Sequence, residues 1–299
     1  MGQDTDIEWA DDTWNPAVGC TKVSAGCRGC YMMRDQTRYG RDGTVVRRTK
    51  PGTFDLPIKR DRHGAYKIAP GRLVFTASLT DVFHEDLDAF RDDVWARMEA
   101  RPDLLFLVLT KRPERIEGRL PAWWGPHGPA NVALGVSAED QAAWDARVPI
   151  LLDTPARLRF VSVEPMIGEI TTPYGLRPGD AYAGDWLTPD RPGIGWVIIG
   201  GESGPAARPL HPAWVGSLIL EADRHGVPVN FKQWGEWVEQ GRNVHPNGSP
   251  VTRERAELHG GDWYLPDGTI LSRAGKHNTG RTFRGRTYDA RPSWPLEAP

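Results

Sequence analysis

Three cysteines, Cys20, Cys27 and Cys30, fall within eleven residues, and the chain has no others. Their spacing is C-x6-C-x2-C, in the run CTKVSAGCRGC. The Cys27–Cys30 interval lets two thiolates reach one metal centre from a tight turn, and Gly26 and Gly29 permit the close backbone approach this needs. An odd, clustered set is a poor disulfide framework. In a reducing compartment it reads as a metal or redox site. Thiolates select zinc or iron–sulfur centres. Structural zinc is almost always closed by four ligands, yet the motif has no fourth cysteine, and the nearest histidines are His63 and His84. Three thiolates on a cubane cluster leave one iron open for a substrate or cofactor. Iron–sulfur is therefore the first reading, and zinc completed by a distant histidine is the second.

A second set of polar residues stands just past a series of short apolar runs. Ser78, Thr80 and Asp81 follow LVFTA (73–77). Thr110, Lys111 and Arg112 follow LLFLVL (104–109). Ser137 and Glu139 follow VALGV (132–136), and Glu164 follows LRFVSV (158–163). Gly200, Gly201, Glu202 and Ser203 follow WVII (196–199), while Lys232 and Gln233 follow VPVNF (227–231). In a β/α barrel the C-terminal ends of the strands carry the active site. Asp81, Lys111, Glu164, Glu202 and Lys232 are the leading candidates for chemistry there. For any one of these residues a helix cap or loop salt bridge is an equal explanation, but the set points to a common mouth. The run GGESGPAARPL is glycine-rich and follows a strand, so it can present backbone N–H groups to an anion. It is neither a P-loop nor the dinucleotide fingerprint; a glycine turn without a ligand is the alternative.

These side chains need elements to hold them. Continuous apolar runs of four to six residues suit a parallel sheet buried on both faces. Between them lie helical patterns at Asp86–Arg101, at Ala138–Val148 with Ser137 as candidate N-cap, and at Pro212–His225, which Gly226 would stop. The alternation predicts an α/β fold: a partial or full (β/α) barrel of about six parallel strands plus an N-terminal strand near the cysteines. A doubly wound open sheet is the alternative. Thr171–Pro192 reads as an inserted loop. The barrel is expected over 1–234, and 235–299 as an irregular extension packed on it, with a hairpin around Pro266-Asp267-Gly268.

Composition narrows the function classes. At 299 residues with 39% hydrophobic content the chain can bury a sizeable core. A net charge of −2 leaves no global basic surface for nucleic acid, though a local patch remains open. Trp123, Trp124, Trp234, Trp237 and Trp263, with Arg281, Arg284, Arg286 and Arg291, could stack on bases and meet phosphates; core packing and solvated charge explain most of them as well. No signal peptide or apolar run of membrane length is present, so a cytoplasmic protein without a membrane partner is expected.

The stretch IEWADDTWNPAVGCTKVSAGCRGCYMMR resembles the start of a phage-associated three-cysteine-motif family. The resemblance continues through FTASLTDVFHE, LVLTKRPER, GVSAED, FVSVEPMIGEI, WVIIGGESGPAARPLHPAW and PVNFKQWGEW, and reappears in GKHNTGRTFRGRTYDARP. That family is similar to radical SAM enzymes. The resemblance implies that Cys20, Cys27 and Cys30 hold a [4Fe-4S] cluster whose fourth iron is chelated by S-adenosylmethionine. An electron donor would reduce it, and cleavage of the sulfonium would give a 5′-deoxyadenosyl radical that takes hydrogen from a substrate. Asp81, Lys111, Glu164 and Lys232 would then serve catalysis. Ser78, Ser137, Glu139, Gly200, Gly201 and Glu202 would hold the methionine and ribose groups, and Tyr31 would pack near the adenine. Three features depart from radical SAM enzymes: a first gap of six residues instead of three, Gly29 where an aromatic residue normally precedes the last cysteine, and a GGE run that follows a late strand instead of the second. A nucleotide or nucleic-acid base is the expected substrate, acted on in the cytoplasm of a phage or prophage host. The competing readings are a zinc-binding nucleic-acid-binding or interaction protein without SAM chemistry, and a zinc hydrolase with Glu164 or Glu202 as base.

Overall fold

The computed structural model describes residues 4–171, 173, 175, 193–240, 261–292 and 294. Among them, seven strands pair side by side in chain order: β1 Asp12–Trp14, β2 Leu73–Thr76, β3 Leu105–Thr110, β4 Val132–Ser137, β5 Leu158–Val163, β6 Ile194–Gly200 and β7 Val229–Gln233. Every ladder in this sheet is parallel. Parallel pairing in strict chain order is the pattern of a (β/α) barrel. Here β1 and β7 remain edges, so the sheet is a half-barrel. This is the expected partial barrel, with the N-terminal strand counted in.

Helices α1 Tyr31–Arg38, α2 Arg91–Glu99, α3 Gln141–Asp153 and α4 Pro212–Arg224 lie in the crossovers. Side chains alternate between the two faces of each strand. On one face Val74, Phe106, Leu134, Val161, Val197 and Phe231 join Trp95, Trp144, Leu151 and Leu218 of the helices in the main core. The other face carries Phe75, Leu107, Ala133, Phe160 and Ile198. Trp9 covers it, with its ring centroid 4.4 Å from that of Phe75 and 6.1 Å from that of Trp196. The segment before β1 therefore fills the concave side. Burial on both faces explains why the strands read as unbroken apolar runs.

The C-terminal residues pack on this frame. Phe231 N–H donates to Tyr288 O at 2.9 Å, and Ala290 N–H donates to Val229 O at 3.1 Å, so the chain lies along β7. Arg291 then pairs with Asp11 at 2.8 Å, beside β1. A small antiparallel sheet is formed by β8 Trp237–Glu239, β9 Asp262–Tyr264 and β10 Ile270–Arg273, in the order β8-β10-β9. β9 and β10 form the expected hairpin, turning at Pro266-Asp267-Gly268.

Two helices differ from the expectation. Asp86–Arg101 divides into a 3-10 turn, Glu85–Leu87, and α2, which starts at Arg91. His84 Nδ1 accepts the Asp86 N–H and opens the short turn, while Asp88 is held by Arg91 and Arg115 across the break. The helix expected from Ala138 begins instead at Gln141. Its N-cap is Asp140, whose carboxylate accepts the Ala143 N–H at 2.9 Å; Ser137 is the last residue of β4. The expected inserted loop, Thr171–Pro192, lies outside the described residues apart from 171, 173 and 175. Among the described residues no helix is long and apolar enough to cross a membrane.

One close contact gives a test of the packing. An ideal Cβ on Gly135 would lie 2.5 Å from Cε1 of Phe160, which is fully buried. Gly135→Ala is expected to cost ~1–3 kcal/mol by overpacking. Urea unfolding should show the loss as a lower midpoint at unchanged slope.

Candidate functional site

The cysteine loop follows β1, and local geometry carries it onto the C-terminal end of the sheet. Gly19 has φ +115°, and a Cβ there would run into the Val45 carbonyl, so only glycine fits without strain. Gly19 N–H donates to Leu79 O at 3.0 Å, and Thr80 Oγ1 donates to Gly19 O at 2.6 Å. These bonds tie the loop to the end of β2. Ala25–Cys27 then form a 3-10 turn, and Cys30 is the N-cap residue of α1. All three thiols are free and partly exposed.

Buried carboxylates from three other strand ends hold this loop. Glu139, past β4, is 1% exposed. Its Oε1 accepts the Gly26 N–H at 3.2 Å, and its Oε2 pairs with Arg147 at 2.8 Å. Glu202, past β6, accepts Arg208 Nε at 2.7 Å and Arg208 N–H at 2.9 Å, and Arg208 Nη2 donates to Ala25 O at 3.0 Å. The two carboxylates press on the two glycines of the motif. A Cβ on Gly26 would lie 2.9 Å from Glu139 Cδ, and one on Gly29 would lie 2.6 Å from Glu202 Oε1. Asp81, past β2, accepts Thr110 Oγ1 at 2.8 Å and the Lys111 N–H at 2.9 Å, and lies 3.5 Å from Arg112 Nη1. Arg112 in turn donates to Thr21 O at 2.9 Å and stands 3.5 Å from Cys20 Sγ.

The thiols differ electrostatically. Burial pushes the Cys20 thiol up to about 11, against the pull of Arg112. Burial also pushes Cys27 up, but hydrogen bonds to the Val23 and Ser24 backbone and the positive charge of Lys111 outweigh it, leaving this thiol below its ordinary value. Glu139 and Glu202 are likewise pushed up by burial and pulled below the usual carboxylate range, Glu139 by Lys111, Ser24 and Arg147 and Glu202 by Arg208. Among the described residues no three His, Cys, Asp or Glu side chains are arranged to share one metal ion.

The other expected site residues divide. Glu164 accepts Lys232 Nζ at 2.6 Å, and the pair sits where β5 and β7 end. Burial would push the Lys232 ammonium down, but Glu164 outweighs it and holds it above its ordinary value. The Tyr31 hydroxyl donates to the Ser78 carbonyl, joining α1 to the end of β2; burial of this hydroxyl raises its pKa. Ser78 also exchanges hydrogen bonds with Asn15. The Ser137 carbonyl accepts Arg147 Nη1 at 2.7 Å. Gly200 and Gly201 serve packing. A Cβ on Gly200 would lie 3.1 Å from Glu164 Cγ, and one on Gly201 would collide with the Trp234 carbonyl. The Gly201 N–H is spent on Gln233 O at 2.8 Å, so it does not face an anion as the glycine run suggested. Trp124, Trp234 and Trp237 are buried, whereas Trp263 is 51% exposed. Arg281 and Arg291 are paired with Asp289 and Asp11. Most of the expected stacking and phosphate-binding groups are thus structural.

Three features escaped the sequence reading. The mouth carboxylates do not stand unpaired; each has its own cation, and Arg147 and Arg208 come from helix and loop positions with no motif around them. His84 is not remote from the cysteines: its Nε2 lies 3.1 Å from Thr21 Oγ1, next to Cys20. Its Nδ1 accepts a backbone N–H, so Nε2 carries the proton. Asn15 bridges β1 to Ser78 and Leu79. The NP pair after β1 was the only signal for it.

Fold and site together define a parallel α/β half-barrel with a three-thiol loop clamped over its strand ends. The chain belongs to the DUF5131 family, described as a protein of unknown function, whose match covers residues 4–292. No curated protein and no solved structure matches it significantly.

Two outcomes test this geometry. Glu139→Ala leaves Arg147 buried without its partner and is expected to cost about 3–5 kcal/mol; hydrogen exchange at Gly26 should accelerate. Because Glu139 and Glu202 are held below the ordinary carboxylate value of about 4.3, their contribution is complete above that pH and fades as pH falls through the lower folded values. Second, in metal-free protein, iodoacetamide should alkylate Cys27 at lower pH than Cys20. Lys111→Gln should move the Cys27 profile to higher pH in peptide mass spectrometry.

Proposed function

We propose that the chain is a radical-SAM-like iron–sulfur enzyme. Cys20, Cys27 and Cys30 hold a [4Fe-4S] cluster, with S-adenosylmethionine at the fourth iron. The observation that carries the reading is the position of the thiol loop: it lies on the C-terminal mouth of a parallel half-barrel, in contact with groups from the ends of β2, β3, β4 and β6. The donor set fits the group. Three soft thiolates suit iron–sulfur chemistry. The ligands of a cubane bind different irons and need not converge on one ion, whereas a mononuclear zinc requires that convergence.

When bound, the cluster and S-adenosylmethionine supply a one-electron cleavage that starts radical chemistry. The chain's own residues hold and insulate that site. Glu139 and Glu202 fix the loop backbone around Gly26 and Gly29. Lys111, Arg112 and Arg208 bring positive charge to the loop, which offsets the charge of three thiolates. Tyr31 and Ser78 tie α1, which Cys30 caps, to the sheet, and Tyr31 would pack near the adenine. The Glu164–Lys232 pair offers a carboxylate and an ammonium at the mouth that can hold polar groups of cosubstrate or substrate. A separate electron donor is required, and a nucleotide or nucleic-acid base is the proposed substrate. Free thiols of this kind belong in a reducing compartment, which supports action in the cytoplasm.

Anaerobic reconstitution with iron and sulfide should load about four irons per chain. Reduction with S-adenosylmethionine present should then release 5′-deoxyadenosine. Cys27→Ala should abolish both. A chain that takes up one tight zinc, with no cleavage of S-adenosylmethionine, would sink the proposal and leave a zinc-binding protein instead.

A further inference from the structure

A cleft of about 310 Å³ opens beside Cys30, between α1 and the loop that follows β6. Lys22, Arg28 and Arg34 line it on the side of the cysteine loop and α1, and Ser203 and Gly204 line it on the other. All three cations are exposed. Among the described residues none of them has a carboxylate within 4 Å, although the charge of Arg28 reaches Glu202 and helps hold that carboxyl below its ordinary value. This sets them apart from the rest of the mouth, where Glu139, Glu202, Glu164 and Asp81 each neutralise a cation of their own. No carboxylate lines the cleft.

Three like charges around one cleft repel one another unless an anion sits between them. The opposite wall is fixed in place. Glu236 Oε1 accepts the Gly204 N–H at 2.8 Å, and Arg273 Nη2 donates to Gly204 O at 2.8 Å. Gly204 has φ +106°, and a Cβ there would run into the Arg34 guanidinium. A bare backbone at this position is what lets Arg34 lie across the cleft. Guanidinium groups pair with phosphate through two parallel hydrogen bonds. The volume falls at the small end of ligand sites, roughly 300–1,000 Å³. That leaves room for more than an inorganic ion.

We propose that this cleft binds a phosphate group, and that the substrate of the cysteine centre carries one. The second half of this inference rests on the proposed function; the first does not. The phosphate belongs either to a free nucleotide or to the backbone of a nucleic-acid strand, and both present the same chemistry to Arg28 and Arg34.

Calorimetric titration of the anaerobically reconstituted chain separates the cases, with pyrophosphate, adenosine diphosphate and a short single-stranded DNA as probes. Saturable binding is expected for at least one of them, weakened about tenfold or more by Arg34→Gln and by Arg28→Gln. Arg224→Gln, on the far surface of α4, should leave it unchanged. Binding of the diphosphate over the DNA assigns a free nucleotide, and the reverse assigns a strand. Iron content measured on the same samples shows whether a loss comes through the cluster. The proposal is overturned if no probe binds, if the two cleft variants bind like the parent, or if they weaken S-adenosylmethionine alone, since the cleft would then hold the cosubstrate's carboxylate. Phosphate binding without release of 5′-deoxyadenosine would leave the cleft standing and remove the radical reading.

Discussion

A buried carboxylate needs a partner, and in this protein the partners hold the cysteine loop. Glu139 and Glu202 rise past the ends of β4 and β6, on either side of β5, and are almost fully enclosed. Each is neutralised by an arginine, and each meets one glycine of the cysteine motif, Gly26 for Glu139 and Gly29 for Glu202. A shift of the loop would break the Gly26 N–H bond to Glu139 and the Arg208 bond to Ala25 O, leaving polar groups at the strand ends without those partners. Its register over the strand ends is thus tied to hydrogen bonds with charged groups that are themselves paired. The glycines matter because any side chain at 26 or 29 would push the carboxylates off their arginines.

That constraint depends on the sheet beneath it. Strict chain-order parallel pairing brings the ends of β2, β3, β4 and β6 to one side, so residues more than one hundred positions apart reach the same loop. The half-barrel also needs its concave face filled. Trp9 does this from the segment preceding β1, packing on Phe75, Phe160 and Trp196. At the other edge Phe231 and Val229 hydrogen-bond to the C-terminal chain near Tyr288 and Ala290. Both termini thus contribute to the closure that a full barrel would achieve with another strand.

Charge at the mouth is partitioned. The carboxylates are consumed by structure, and the cations of α1 and the cysteine loop are left over on one side of Cys30. A protein with a net charge of only −2 can in this way present a locally basic cleft. The thiols inherit the same asymmetry, with Cys27 eased toward thiolate by Lys111 and Cys20 held back by burial.

The sequence by itself determined the cysteine set, the parallel α/β class and the strand cores, because thiol spacing and unbroken apolar runs are local signals that burial on two faces makes unambiguous. It also located Asp81, Lys111, Glu139, Glu164, Glu202 and Lys232 at strand ends, since polarity changes abruptly where a strand leaves the core. Only the tertiary structure decided what these groups do. Arg147 and Arg208 lie eight and six positions from the carboxylates they neutralise, and nothing in their local sequence marks the pairing. His84 reaches Thr21 across 63 positions. Gly201 reads as part of an anion loop, but the close approach of the Trp234 carbonyl leaves no room for a side chain there. Pairing and close approach are properties of where the chain folds back on itself, and a linear pattern carries no record of that.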